Sequence, residues 1–98
     1  MIVEFADDDL ERLETDLDFN AGFAEAIVEA FRKRIQFLRA AIDERTFYAM
    51  KSLHFEKLKG KRSHQYSMRL NAQWRLILEI KPAKPKNVIV VVSIEDYH

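Results

Sequence analysis

Ninety-eight residues, 48% hydrophobic and 33% charged, make one domain and leave no room for a second or for a disordered chain. Two glycines and two prolines exclude a low-complexity chain, and the absence of cysteine excludes a disulfide framework, an iron–sulfur cluster and a Cys-ligated zinc site. The zero net charge conceals a dipole: residues 1–31 carry ten acids and one base, a balance of −9, whereas residues 32–98 carry fifteen bases and six acids, a balance of +9.

Ile2 to Phe5 reads as a short first strand. Asp7, Asp8 or Asp9 can cap a helix whose positive end favours acids. Leu10, Leu13 and Leu17 fall on one face of that helix, and Asn20 or Gly22 ends it. Asn20 can also cap the next helix, which the period of Phe23, Ile27, Phe31, Ile35, Leu38 and Ile42 places from about Ala21 to Ala41. A helical turn follows around Arg45 to Met50. After Gly60 the period changes to two: Tyr66, Met68 and Leu70 form one half-buried strand, and Trp74, Leu76, Leu78 and Ile80 another, joined by a turn at 71–73. Residues 81–87 hold both prolines and read as a solvated loop. Val88 to Ile94 is β-branched throughout most of its length and reads as a central strand buried on both faces. Helices first and strands after predict an α+β fold of two layers, an N-terminal strand and helix pair packed on a small antiparallel sheet.

The longest apolar run, Val88 to Val92, is far short of the ~20 residues that cross a bilayer. The opening MIVEFADDD is acidic where a secretion signal would be basic. A cytoplasmic, reducing location with no membrane partner is expected.

Metal-ligand spacing, a Gly-rich phosphate loop and a nucleophile elbow are all lacking in the sequence. What remains is chemistry by cations and histidine on an anionic substrate, with no cofactor. Lys51 to Arg75 holds seven bases against the single acid Glu56, the footprint of a polyanion site; mutual neutralisation of the two halves is the plainer alternative. RNA brings its own nucleophile, the 2′-hydroxyl. Cutting it requires cations to hold the phosphate and neutralise the phosphorane, and an acid to protonate the leaving 5′ oxygen. Lys57, Lys59, Lys61, Arg62, Arg69 and Arg75 supply the cations, and Tyr97 and His98 stand at the end of the sequence.

Four ordered segments sharpen this reading: Leu58-Lys59-Gly60-Lys61-Arg62, Tyr66-Ser67-Met68-Arg69, Asn71-Ala72-Gln73-Trp74-Arg75 and Glu95-Asp96-Tyr97-His98. Together they resemble the HigB-type (host inhibition of growth) toxins of the RelE/ParE superfamily, over the part from about Leu53 onward. The resemblance implies a β-α-α-β-β-β order, ribosome-dependent cleavage of mRNA within a type II toxin–antitoxin system, and neutralisation by a helix-turn-helix antitoxin of the HigA type. It further implies that Lys59 contacts the scissile phosphate, Arg75 stabilises transition-state charge, Tyr97 stacks on a base, His98 is the general acid and Asp96 orients it. Lys57, Lys61, Arg62 and Arg69 would bind RNA on one concave surface. Where some members place a histidine three residues before the motif lysine, this sequence has Glu56, which then becomes the candidate base; His54 lies two residues earlier. A non-catalytic toxin of the same fold that blocks a protein such as DNA gyrase is the alternative.

Overall fold

The computed structural model describes residues 1–96. In chain order the elements are β1 (Val3–Phe5), α1 (Asp8–Thr15), α2 (Glu25–Ala40), α3 (Arg45–Ala49), a 3₁₀ turn at Lys51–Leu53, β2 (Glu56–Lys57), a second 3₁₀ turn at Gly60–Arg62, β3 (Tyr66–Arg69), β4 (Trp74–Lys81) and β5 (Val88–Asp96). They form an α+β fold in which the helices pack on a five-stranded sheet of order β1-β5-β4-β3-β2. The meander from β2 to β5 is antiparallel, as the alternation predicts. The N-terminal strand β1 joins this sheet at the β5 edge and runs parallel to β5, with Val3 opposite Ile89 and Phe5 opposite Val91. Its apolar side chains are thereby delivered to the core from the free side of β5.

Asp7 caps α1, its carboxylate accepting the Leu10 N–H at 2.8 Å, with Asp8, Asp9 and Glu11 in the first turn. The helix stops at Thr15, short of Leu17, which is 77% exposed rather than part of the buried face. The reason lies in what satisfies its last carbonyls. Arg32, reaching across from α2, donates to the carbonyls of Leu13, Asp16 and Phe19 at 3.0, 3.2 and 3.3 Å. A guanidinium thus takes the place of another helical turn. Asn20 does not cap α2. Its Oδ1 accepts from the Gly22 N–H at 2.8 Å in a turn where Ala21 and Gly22 have positive φ, and α2 begins only at Glu25. At the far end Ala41 is extended, so Ile42 is turned outward and 69% exposed.

The core lies between the helices and one face of the sheet. Leu13, Phe31, Ile35 and Leu38 from the helices meet Met68, Leu76, Leu78, Ile89 and Val91 from the strands, all fully buried. Each such side chain gains about 1.5–3 kcal/mol from leaving water. Tyr66 and Trp74 flank this core half-buried, Trp74 meeting the edge of Phe23 at 5.7 Å. β5 is not buried along both faces: Ile89 and Val91 are fully buried toward the helices, whereas on the other face Val88 is buried but Val90 and Val92 stay half-exposed. A register shift after Ile77 pairs Ile77 with Ser93 but Leu78 with Val91, leaving Val92 as an extra residue. Some of the charge dipole is neutralised across the fold, by Arg39 on Glu14 at 2.6 Å and Lys81 on Glu4 at 3.2 Å. Among the described residues no helix is long and apolar enough to cross a membrane.

Candidate active site

The outer face of the sheet is built from the residues that alternate with the core set. Cross-strand register places Glu56, Ser67, Ile77 and Ser93 in one row, and Arg69, Arg75 and Glu95 in the next. Two like charges, Arg69 and Arg75, therefore stand directly opposite one another, an unfavourable pairing unless anions or carbonyls surround them.

They are so surrounded. Arg75 donates to the His54 carbonyl at 3.0 Å and to Glu56 Oε1 at 3.4 Å, and its side chain is only 12% exposed. Arg69 donates from Nε to the Asn71 carbonyl at 3.1 Å, and its Nη1 lies 3.3 Å from His54 Nε2. The carbonyl of Arg69 itself accepts from Arg34 of α2 at 2.9 Å, which ties the row to the helix layer.

Local sequence explains how these groups converge. Phe55 is buried and stacks on Tyr66 at 5.2 Å while meeting the edges of Phe47 and Tyr48 at 5.3 and 4.8 Å. With Phe55 turned inward, its neighbour Glu56 turns outward onto the face of Arg75. His54 preceding it adopts a left-handed conformation, φ 47, which bends the chain so that its carbonyl meets Arg75. On the other side, Asn71 Oδ1 accepts the N–H groups of Gln73 and Trp74 at 2.9 and 2.7 Å. Gln73 reaches Asp96 at 3.0 Å. The Asn-x-Gln-Trp-Arg segment is thus a side-chain-stapled turn that delivers Arg75 at the start of β4.

The turn bearing Lys59, Lys61 and Arg62 opens on Gly60, whose φ of +66 is strained for any residue with a Cβ. Lys59 and Lys61 are exposed on it. Arg62 is engaged: its two Nη groups bind both oxygens of Glu95 at 2.8 and 2.7 Å, and its Nε donates to Gln65 at 2.9 Å. The pair raises the pKa of Arg62, and Arg62 holds the Glu95 carboxyl below its usual range, against burial and with help from the Ser93 hydroxyl at 2.7 Å. Arg62 thereby straps the Lys59 turn to β5.

The structure brings Glu56, Arg69 and Arg75 together, with the Lys59–Arg62 turn clasped to the same face at Glu95. Lys57 lies elsewhere: it pairs with Tyr66 and so belongs to the opposite side of the strand. Tyr97 and His98 lie outside the described residues. Sequence reasoning gave His54 a marginal place, yet it touches both arginines. The signal available was the run His54-Phe55-Glu56, an aromatic inside two polar residues at strand alternation. Among the described residues no group of three or more His, Asp or Glu is placed to hold a metal ion.

A family model described as the RelE-like toxin of the type II toxin–antitoxin system HigB matches residues 3–98. The chain belongs to the HigB-like toxin family. It is thus a toxin of the RelE-like, type II class. Among solved structures, this HigB-like toxin is similar in fold to a YoeB/ParE toxin from Agrobacterium tumefaciens, with a TM-score of 0.60, 16% identity and full coverage of both chains. It is equally similar to a chain of the YoeB-YefM complex from Staphylococcus aureus, with a TM-score of 0.60, 19% identity, and coverage of 100% of this chain and 97% of that one. No curated protein sequence matches it.

Proposed function

We propose that this HigB-like toxin is an endoribonuclease that cuts mRNA on the ribosome by attack of the RNA's own 2′-hydroxyl. The observation that carries this reading is the juxtaposition of Arg75, Arg69, His54 and Glu56 on one open sheet face, beside the turn that bears Lys59. Such a face can bind a phosphodiester and complete its chemistry without a cofactor.

Lys59 and Arg75 hold the phosphate, displacing the Glu56 carboxylate from the guanidinium. Glu56 takes the proton of the 2′-hydroxyl as its oxygen bonds to phosphorus. Charge that builds on the phosphorane meets the fork of Arg75, which suits a bidentate oxyanion. The bond to the 5′ oxygen then breaks, and that oxygen takes a proton, in this proposal from His98, while Tyr97 stacks on a neighbouring base. The products are a 2′,3′-cyclic phosphate and a 5′-hydroxyl. Arg69 and Lys61 contribute to RNA affinity, and Arg62 does so indirectly by fixing the turn; Lys57, on the other side of the strand, takes no part.

The cell that makes such an enzyme must silence it, and a YoeB chain, whose fold this toxin shares, is described in a YoeB-YefM complex. We infer a dedicated antitoxin here as well, of the helix-turn-helix HigA type, acting in the cytoplasm. Incubation with translating ribosomes and mapping of mRNA ends tests the reading. Cyclic-phosphate ends should appear, and a 2′-deoxy substitution at the cut site should abolish them. Intact mRNA together with inhibited DNA gyrase would overturn it in favour of a toxin that blocks a protein.

A further inference from the structure

Ser67 sits in the middle of β3 with no exposed surface, and its hydroxyl is buried without a hydrogen-bond partner. Buried polar groups are nearly always paired, so an orphan calls for an explanation. Its two cross-strand neighbours on the outer face are Ile77, which has no polar side-chain atom, and Glu56. Directly opposed strand residues have Cβ atoms ~4.5–5.5 Å apart, within reach of a serine hydroxyl and a glutamate carboxylate. Glu56 is instead turned toward Arg75, at a long 3.4 Å.

We propose that Ser67 is the second seat of the Glu56 carboxylate, a positioning residue that receives it when substrate phosphate takes over Arg75. The inference rests on Glu56 acting as the base. Binding of phosphate to Arg75 evicts Glu56, and the other charged groups facing it are poorly placed to take it. Arg69, from β3, is committed to the Asn71 carbonyl and to His54. His54, in the preceding turn, lies against Arg69, and Arg62 and Glu95 are occupied with each other. The Ser67 hydroxyl is the uncommitted donor across the strand. Donating to Glu56 it fixes the carboxylate over the sheet, ionised and ready for the 2′-hydroxyl proton, and repays its own lost hydration only in the complex.

Steady-state cleavage of ribosome-bound mRNA as a function of pH, with wild type, Ser67→Ala, Glu56→Ala and the double variant, tests this. Wild type should show an acid limb in kcat that Glu56→Ala removes. Ser67→Ala should raise KM about tenfold, the effect of one hydrogen bond to a charged group. It should also move the acid limb of kcat to higher pH by about one unit, since the bound carboxylate has lost a donor. In the Glu56→Ala background it should change nothing further. Its melting temperature should not fall, because the free chain loses only an unsatisfied hydroxyl. Unchanged KM and acid limb in Ser67→Ala, or an equal effect with and without Glu56, would overturn the proposal while leaving Glu56 as base. A wild type without a Glu56-dependent acid limb would overturn the base assignment itself, and the proposal with it.

Discussion

The two faces of the sheet are made from the same strands by alternate residues, yet they are held in different ways. The helix-facing side is filled by apolar side chains from distant parts of the chain, Phe31 and Ile35 of α2 against Leu76 and Val91. The outer side has no layer over it, yet Arg75 and Ser67 are scarcely more exposed than core residues. Arg75 is held there by polar neighbours, the His54 carbonyl and the Glu56 carboxylate. The first face gains its stability from area removed from water and tolerates little change of volume. The second gains shape from directed hydrogen bonds, which a charged ligand can take over one at a time. Adjacent residues of one strand, Arg75 and Leu76, therefore belong to a site and to a scaffold.

The strongest test of this division is Leu76→Ala. It should lower folding stability by about 2–5 kcal/mol, read from urea denaturation, because the cavity sits between helix and sheet. Cleavage per folded molecule should survive. The neighbouring Arg75→Ala should do the reverse. A loss of about 10²–10³-fold in cleavage rate is expected, with a stability cost of only about 0.5–1.5 kcal/mol from the bonds to the His54 carbonyl and Glu56. Equal destabilisation by the two substitutions would erase the distinction between the faces.

A smaller effect is expected at the strap. Arg62 lowers the pKa of Glu95, so the pair stabilises the fold at pH values above the unfolded carboxylate's pKa, and this contribution is lost as pH falls through the depressed folded value. Both side chains are more than a third exposed, which limits the pair to about 0.2–1 kcal/mol. Glu95→Gln should therefore melt slightly below wild type at pH 7 and together with it in strong acid. A constant difference across that range would mean that Glu95 acts through packing alone. Leu17→Ser should be the mildest change, within about 0.5 kcal/mol in chemical denaturation, since the side chain left the buried face when α1 ended early.

Patterns with a short period were legible in the sequence. The cap at Asp7 and the strand alternation through Met68, Leu76 and Leu78 emerged where expected. So did the turn before Arg75, because each depends on neighbours a few residues away. Helix ends were legible only in part. Leu17 and Ile42 fit the apolar stripes, but Arg32 reaching back to three carbonyls ended one helix and an extended Ala41 ended the other. Pairings at long range were not legible. The strap between Arg62 and Glu95 spans 33 residues, and nothing in either segment distinguishes a paired arginine from one that awaits phosphate. The same holds for His54, whose place at the site follows from the burial of Phe55 beside it.

The pairing of Val3 with Ile89 has a consequence for synthesis. On a chain emerging from the ribosome, β1 appears before every other element described and its partner strand β5 after all of them. α1 and α2 have local contacts to form early, but the sheet they cover cannot close until β5 arrives, and such distant pairings are the slow ones. Glu95, which clasps the Lys59 turn, arrives on that same strand. A nascent chain that stalls before Val88 therefore has neither a finished sheet nor a clasped turn, and the face proposed to cut mRNA is not assembled until β5 has been made.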